Sequence, residues 1–158
     1  MATHTLADAS VGAVPRPALH LAGKICIVAL GLLGLGAIAG GIALMAKPDG
    51  SVMQFDVALL SGSPFADFMI PGLILGLLFG VGSFVVAAMG LARWPIAPFL
   101  AFAIGCAQMI WIVVELAIIQ KLSFLHPMCF AIGLVIAASA VVWGWPTFHG
   151  WRESVRTA

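Results

Sequence analysis

Glu115 is the only acidic residue within four long apolar stretches of the chain, four residues after Trp111 and seven after Gln108. Steps of three and four place Ala101, Gly105, Gln108, Ile112 and Glu115 on one stripe of a helix, because residues so spaced stack on the same face. A carboxyl and a carboxamide on a shared apolar face suit two kinds of chemistry: holding and releasing a proton, or gripping a polar group of a ligand. An ionisable group at the centre of a membrane helix costs roughly 2.5–3.5 kcal/mol, so such a face turns away from lipid. The plainer reading is a packing glutamate, hydrogen-bonded to a neighbouring helix or to Trp111. Asp67, Lys121 and His126 should lie at the same height as Glu115 and could join it in a small polar vestibule. Histidine brings to such a cluster the one side chain that ordinarily changes charge near neutral pH. Taken singly, Asp67 suits a helix N-terminus through the macrodipole, and Lys121 suits snorkelling to the interface.

Other chemistries lack their residues. Cys26, Cys106 and Cys129 fall at different depths and form no C-x-x-C, so thiol redox work is not expected and all three read as free buried cysteines. His4, His20, His126 and His149 all stand outside the middle of any span, which leaves no axial pair for a haem. Metal-ligand spacings, phosphate-binding loops and nucleophile–base pairs are missing from the pattern, and no basic stripe points to nucleic acid. The expectation is no catalytic residue, no metal and no cofactor.

The elements that must carry Glu115 follow from composition. Of 158 residues, 63% are hydrophobic and 8% charged, and the mean hydropathy is +1.17. Soluble domains carry about 25% charged residues, whereas about 20 consecutive apolar residues cross a bilayer as a helix. Four runs reach that length: 25–46, 71–92, 98–119 and 124–145. Lipid admits only helices or closed barrels, and continuous runs without alternation select helices. The expected fold is an all-α, four-helix transmembrane domain over 24–146. It is flanked by a disordered tail (1–23), an outer loop (47–66) and a second tail (147–158). The first run is longer than a signal-peptide core and lacks an A-x-A-like site, so it reads as a retained span. Five of the seven Lys and Arg residues (Arg16, Lys24, Arg93, Arg152, Arg156) fall on the side of the termini and two (Lys47, Lys121) opposite, which predicts an N-in, C-in orientation. Trp94, Trp143, Trp145 and Trp151 gather at the terminal face as an aromatic belt would.

Glycines predict where helices approach. Gly36-x-x-x-Gly40 in the first span is a small-xxx-small pattern, and Gly72, Gly76 and Gly80 form a ridge down the second. In the outer loop, Lys47-Pro48-Asp49-Gly50 signals a turn, and the apolar 52–60 segment should lie at the interface or cap the bundle. Ser63 and Pro64 suit the N-cap and first position of a short helix. Trp145-Pro146 should end the fourth span. Phe68-Met69-Ile70-Pro71 and Phe124-Leu125-His126-Pro127 echo one another, as two duplicated hairpins would.

Three segments carry a resemblance: Ser63-Pro64-Phe65-Ala66-Asp67-Phe68-Met69-Ile70-Pro71-Gly72, the Trp111-x-x-x-Glu115 stretch, and Ser123-Phe124-Leu125-His126-Pro127. Over about residues 24–146 the chain resembles a broad group of small four-span bacterial membrane proteins of uncharacterised function. That resemblance implies a bacterial cytoplasmic membrane and a shared pattern of Asp67, Trp111, Glu115 and Pro127, but no activity. Small multidrug carriers share the span number and a membrane glutamate, though theirs stands in the first span. The function expected is a non-enzymatic binding module or accessory subunit with an outer polar pocket of Asp67, Trp111, Glu115 and His126. Its partners would be the bilayer and another membrane protein or a second copy. The rival is a proton-coupled carrier using Glu115, with Gln108 lining the path.

Overall fold

The structure, a computed structural model, describes residues 19–119 and 123–156, with side chains through 118 and over 123–145. The expectations for the tail up to residue 18, for Lys121 and for the side chains of Trp151 and the second tail lie outside it. Four helices account for most of these residues: α1 (Leu21–Ala46), α2 (Met69–Leu91), α3 (Ala97–Ile119) and α4 (Leu125–Arg156). Each contains a window long and apolar enough to cross a bilayer, and no strand occurs among the described residues. The protein is therefore an all-α, multi-pass membrane protein. With an even number of crossings, residues 19 and 145 share one end of the bundle, here the terminal end, and residues 47–68 and 123 mark the loop end.

The fourth span ends at Trp145, and helix α4 itself runs on through Pro146 to Arg156. A proline removes one intrahelical bond and kinks the helix, which is not enough to stop it here. Two local expectations are corrected. No helix starts at Ser63-Pro64. Ser63 Oγ instead accepts the Phe65 N–H at 3.2 Å, and Asp67 Oδ1 accepts the Met69 N–H at 2.9 Å. These short side-chain turns hold 63–68 as loop until α2 begins at Met69, with Pro71 in its first turn where its missing N–H costs nothing. Trp143 is not part of a belt. It is 1% exposed and lies 3.1 and 2.9 Å from where Cβ atoms on Gly23 and Gly90 would stand, plugging the terminal end, while Trp94 and Trp145 are exposed there.

Helix α1 packs on α2 and α4, α4 packs on α3, and α3 meets α2 mainly through Gly82–Leu91. Two seams are backbone-close. A methyl group on Gly41 would stand 2.7 Å from the Gly72 carbonyl oxygen and 2.8 Å from the Gly76 nitrogen; one on Gly105 would stand 2.7 Å from the Gly133 carbonyl oxygen. Gly80 lies as tightly under Ile38, and Gly40 meets only the Leu75 side chain. Gly36 is the exception to the expected packing pair: it is exposed, and an added methyl would meet nothing within 4 Å. The face of α1 that packs is Gly34 and Gly41, seven residues apart and so nearly in phase on a 3.6-residue helix.

Midway along α2, Leu75–Val81 winds as a π-helix. Such segments are rare, single-turn features found disproportionately at functional sites. Above the loop end, 3-10 turns at Ser51–Met53 and Val57–Leu60 fold the connection over the bundle. Leu60 and Phe68 are buried there with Leu44, and Phe55 rests tilted against Phe68 at 5.8 Å. Gly50 is needed at the turn, with φ +79° and the Phe55 carbonyl oxygen 2.6 Å from where a Cβ would stand. Beside it, the Ser51 backbone N–H donates to Asp49 Oδ1 at 2.9 Å and lowers the Asp49 pKa.

Candidate functional site

Above Gly82 the packing of α2 on α3 thins to the Phe79–Trp111 pair, and the loop half of the bundle encloses a half-open cavity of about 350 Å3. Its walls are almost entirely apolar. The inward stripe of α3 supplies the exceptions, and it lies as its spacing requires: Ala101, Gly105, Gln108 and Ile112 are buried and Glu115 is half-buried. Gln108, Trp111 and Glu115 line the cavity from α3, and His126 and Ser123 line it from the start of α4.

His126 is held by its own helix terminus. Its ring Nδ1 accepts the Ser123 backbone N–H at 3.1 Å and lies 3.0 Å from the Ser123 hydroxyl, while the His126 N–H donates to the Ser123 carbonyl at 3.2 Å. The imidazole thus reaches back to a backbone N–H just before the helix, as the Glu or Gln of a capping box does, without the reciprocal hydroxyl bond. A backbone N–H only donates, so Nδ1 must accept and the neutral ring carries its hydrogen on Nε2. Nε2 faces Glu115 Oε1 at 4.0 Å. That is beyond hydrogen-bond length, but it is a gap that one small group, accepting from Nε2–H and donating to the carboxyl oxygen, would bridge. The Trp111 indole lies close enough to the Glu115 carboxyl to interact with it. Trp111 in turn meets Phe79, in the π segment of α2, edge-on at 5.7 Å and 62°.

Gln108 is the second polar feature. It is 2% exposed, and its Oε1 has no hydrogen-bond partner among the described residues. A buried acceptor left unpaired costs about 1–3 kcal/mol, and a turn of the side chain toward the cavity that the residue lines would offer this oxygen to a donor. Seven residues of helix, about 10 Å at about 1.5 Å each, separate it from Glu115 at the mouth.

The structure thus brings Glu115, Trp111, His126 and Gln108 to one cavity. Asp67 is not among the residues lining it; its carboxylate accepts the Met69 N–H at the start of α2. Gly36, Gly40 and Leu75 line the cavity as well, whereas Gly72, Gly76 and Gly80 stand in the seam between α1 and α2. Sequence reasoning missed Ser123, whose pairing with His126 was available from the Ser-x-x-His spacing, and the loop wall of Phe55, Leu60, Phe65 and Phe68. The three cysteines are free, but only Cys26 is buried, its thiol 3.8 Å from the Ile136 carbonyl oxygen, while Cys106 and Cys129 are half-buried. Among the described residues no group of three or more His, Cys, Asp or Glu side chains gathers as a metal site would.

Comparison of the chain with family models, with curated proteins and with solved structures finds no match to any of them. Function must be argued from the cavity itself.

Proposed function

We propose that this is a non-enzymatic membrane protein that binds an apolar small molecule in the loop-end cavity. The ligand carries two hydrogen-bonding groups. One, a hydroxyl, both accepts from His126 Nε2–H and donates to Glu115; the other, about 10 Å further in, donates to Gln108 Oε1. The observation that carries this reading is Gln108, a buried carboxamide with an unpaired oxygen in a residue that lines a 350 Å3 cavity. Pockets that bind small molecules run from about 300 to 1,000 Å3, mostly apolar with few convergent polar groups. The five-to-two distribution of Lys and Arg supports an orientation with both termini in the cytoplasm. The cavity then lies in the outer leaflet, in our reading of a bacterial cytoplasmic membrane. An accessory role beside a larger membrane protein is compatible with the same pocket.

The test is thermal unfolding in micelles with hexadecane-1,9-diol and with hexadecan-1-ol. The diol should stabilise the wild-type protein more than the alcohol, and the difference should vanish in Gln108→Leu. If neither compound stabilises the protein, the reading fails.

A second reading, a proton-coupled carrier, draws on Glu115, whose side chain is 30% exposed into a half-open cavity. It also draws on the π segment opposite, a stretch of helix with a ready alternative winding. Uptake of a hydrophobic or cationic solute into proteoliposomes under a pH gradient would collapse in Glu115→Gln. Unchanged uptake would remove this reading.

A further inference from the structure

The rim of the cavity contains residues that no aqueous opening would include. Leu32 is 59% exposed and lines the cavity, yet it lies fourteen residues of α1, about 21 Å at about 1.5 Å each, below the loop end at Ala46. That depth is within the hydrocarbon of a bilayer about 30 Å thick. Gly36, one turn above it, is exposed too, with open space where a side chain would be. Across the gap stand Leu125, Met128 and Ile132 of α4, the first two exposed. Further toward the terminal end the same two helices are shut together: Cys26 lies on the Ile136 carbonyl, and Trp143 fills the space beside Gly23. At the loop end the Leu60–Phe68 cluster forms one wall of the same cavity.

We infer that the cavity is filled sideways from the bilayer, through a gap between α1 and α4 framed by Gly36. We further infer that its ligand is an uncharged, single-chain amphiphile whose hydroxyl head rests between His126 and Glu115 and whose tail leaves through that gap. The inference rests on the binding reading above. Ten residues toward the loop end from the Cys26–Ile136 contact bring Gly36 level with His126, and Leu32, one turn deeper in the same gap, stands nearer the depth of Gln108, which packs on Gly133. A chain that has passed Gln108 therefore meets the gap. A volume at the low end of the pocket range leaves room for one chain and not two. An anionic head is disfavoured because the mouth offers the acceptor oxygens of Glu115.

The experiment uses the full chain in lipid nanodiscs with hexadecane-1,9-diol bearing a diazirine at the tail end, photolysed with and without tenfold excess unlabelled diol. Competable labelling is expected on residues 32–36 and 128–132. Gly36→Phe should reduce it at least fivefold while leaving the thermal stability of the ligand-free protein unchanged, because the new side chain projects into open space. Leu125→Trp, at the opposite edge, should do the same and serves should Gly36→Phe fold poorly. Competable labelling confined to residues 53–68 would place the opening in the loop and overturn the sideways route while leaving the binding reading intact. Undiminished labelling in both variants would overturn it as well. No competable labelling anywhere would remove the binding reading itself. Equal competition by hexadecanoic acid would overturn the choice of an uncharged head.

Discussion

Replacing Gln108 with Leu should make the empty protein more stable and the occupied protein no better than wild type. The side chain is 2% exposed, and its Oε1 is unpaired, so the folded, ligand-free state bears a desolvation cost that leucine, of similar size and apolar, does not. Unpaired buried groups cost about 1–3 kcal/mol in soluble proteins, and interhelical hydrogen bonds in membranes average about 0.6 kcal/mol. A gain of about 1 kcal/mol is therefore expected on Gln108→Leu. A ligand at a hundred times its Kd adds about 2.7 kcal/mol of apparent stability. If losing the Gln108 hydrogen bond weakens hexadecane-1,9-diol tenfold, about 1.4 kcal/mol, the same concentration adds only about 1.4 kcal/mol to the variant. The variant should then start about 1 kcal/mol above wild type and finish within a few tenths of it, a crossover visible in denaturant titrations followed by tryptophan fluorescence. A variant that is less stable than wild type without ligand would refute the reasoning, because Gln108 would then be a satisfied structural group.

Other perturbations separate the roles of the neighbouring residues. His126→Ala removes both the bond to the Ser123 N–H and the Nε2–H donor, so it should cost about 1 kcal/mol of stability and at least tenfold in diol affinity. His126→Gln restores an acceptor at the capping position and should recover the stability without the affinity; recovery of both would deny Nε2–H a role. Glu115→Gln keeps a polar side chain of the same length, so infrared spectra should lose one carboxyl band with little change in unfolding. The carboxyl band of the wild type should shift on addition of the diol, and a band indifferent to ligand would make Glu115 a packing residue. Gly41→Leu drives a side chain into the Gly72–Gly76 backbone and should destabilise by at least the 1–3 kcal/mol typical of overpacking, whereas Gly31→Leu, with nothing within 4 Å, should be neutral in the same unfolding assay.

Which parts of this were legible in the sequence follows from what one dimension can encode. Span number was readable because backbone groups in lipid force helices of a minimum length. The inward stripe through Gln108 and Glu115 was readable because its period is that of the helix. The packing face of α1 was not: Gly36, Gly40 and Gly41 offer two phases, and only the arrival of Gly72 and Gly76 selects Gly41. Asp67 was grouped with Glu115 from height along the membrane normal, but direction around the bundle is not encoded in height. Its carboxylate turns to its own helix. The cavity was least legible of all, since it depends on where α2 parts from α3 and α1 from α4, and both are properties of pairs of helices.

The two glycine seams have a consequence for how the chain is made. Gly41 with Gly72 and Gly76 binds α1 to α2, and Gly105 with Gly133 binds α3 to α4, so each helical hairpin is closed by its own backbone contacts. The covalent link between the hairpins, Arg93 to Ile96, is an exposed turn. Each half is thus a self-contained unit for membrane insertion, and the chain should tolerate being cut. Residues 1–93 and 94–158, expressed as two polypeptides in one cell, should associate through the Trp143 plug and co-purify. Failure of the halves to find each other would mean that the link itself, and not the seams, holds the order of the bundle.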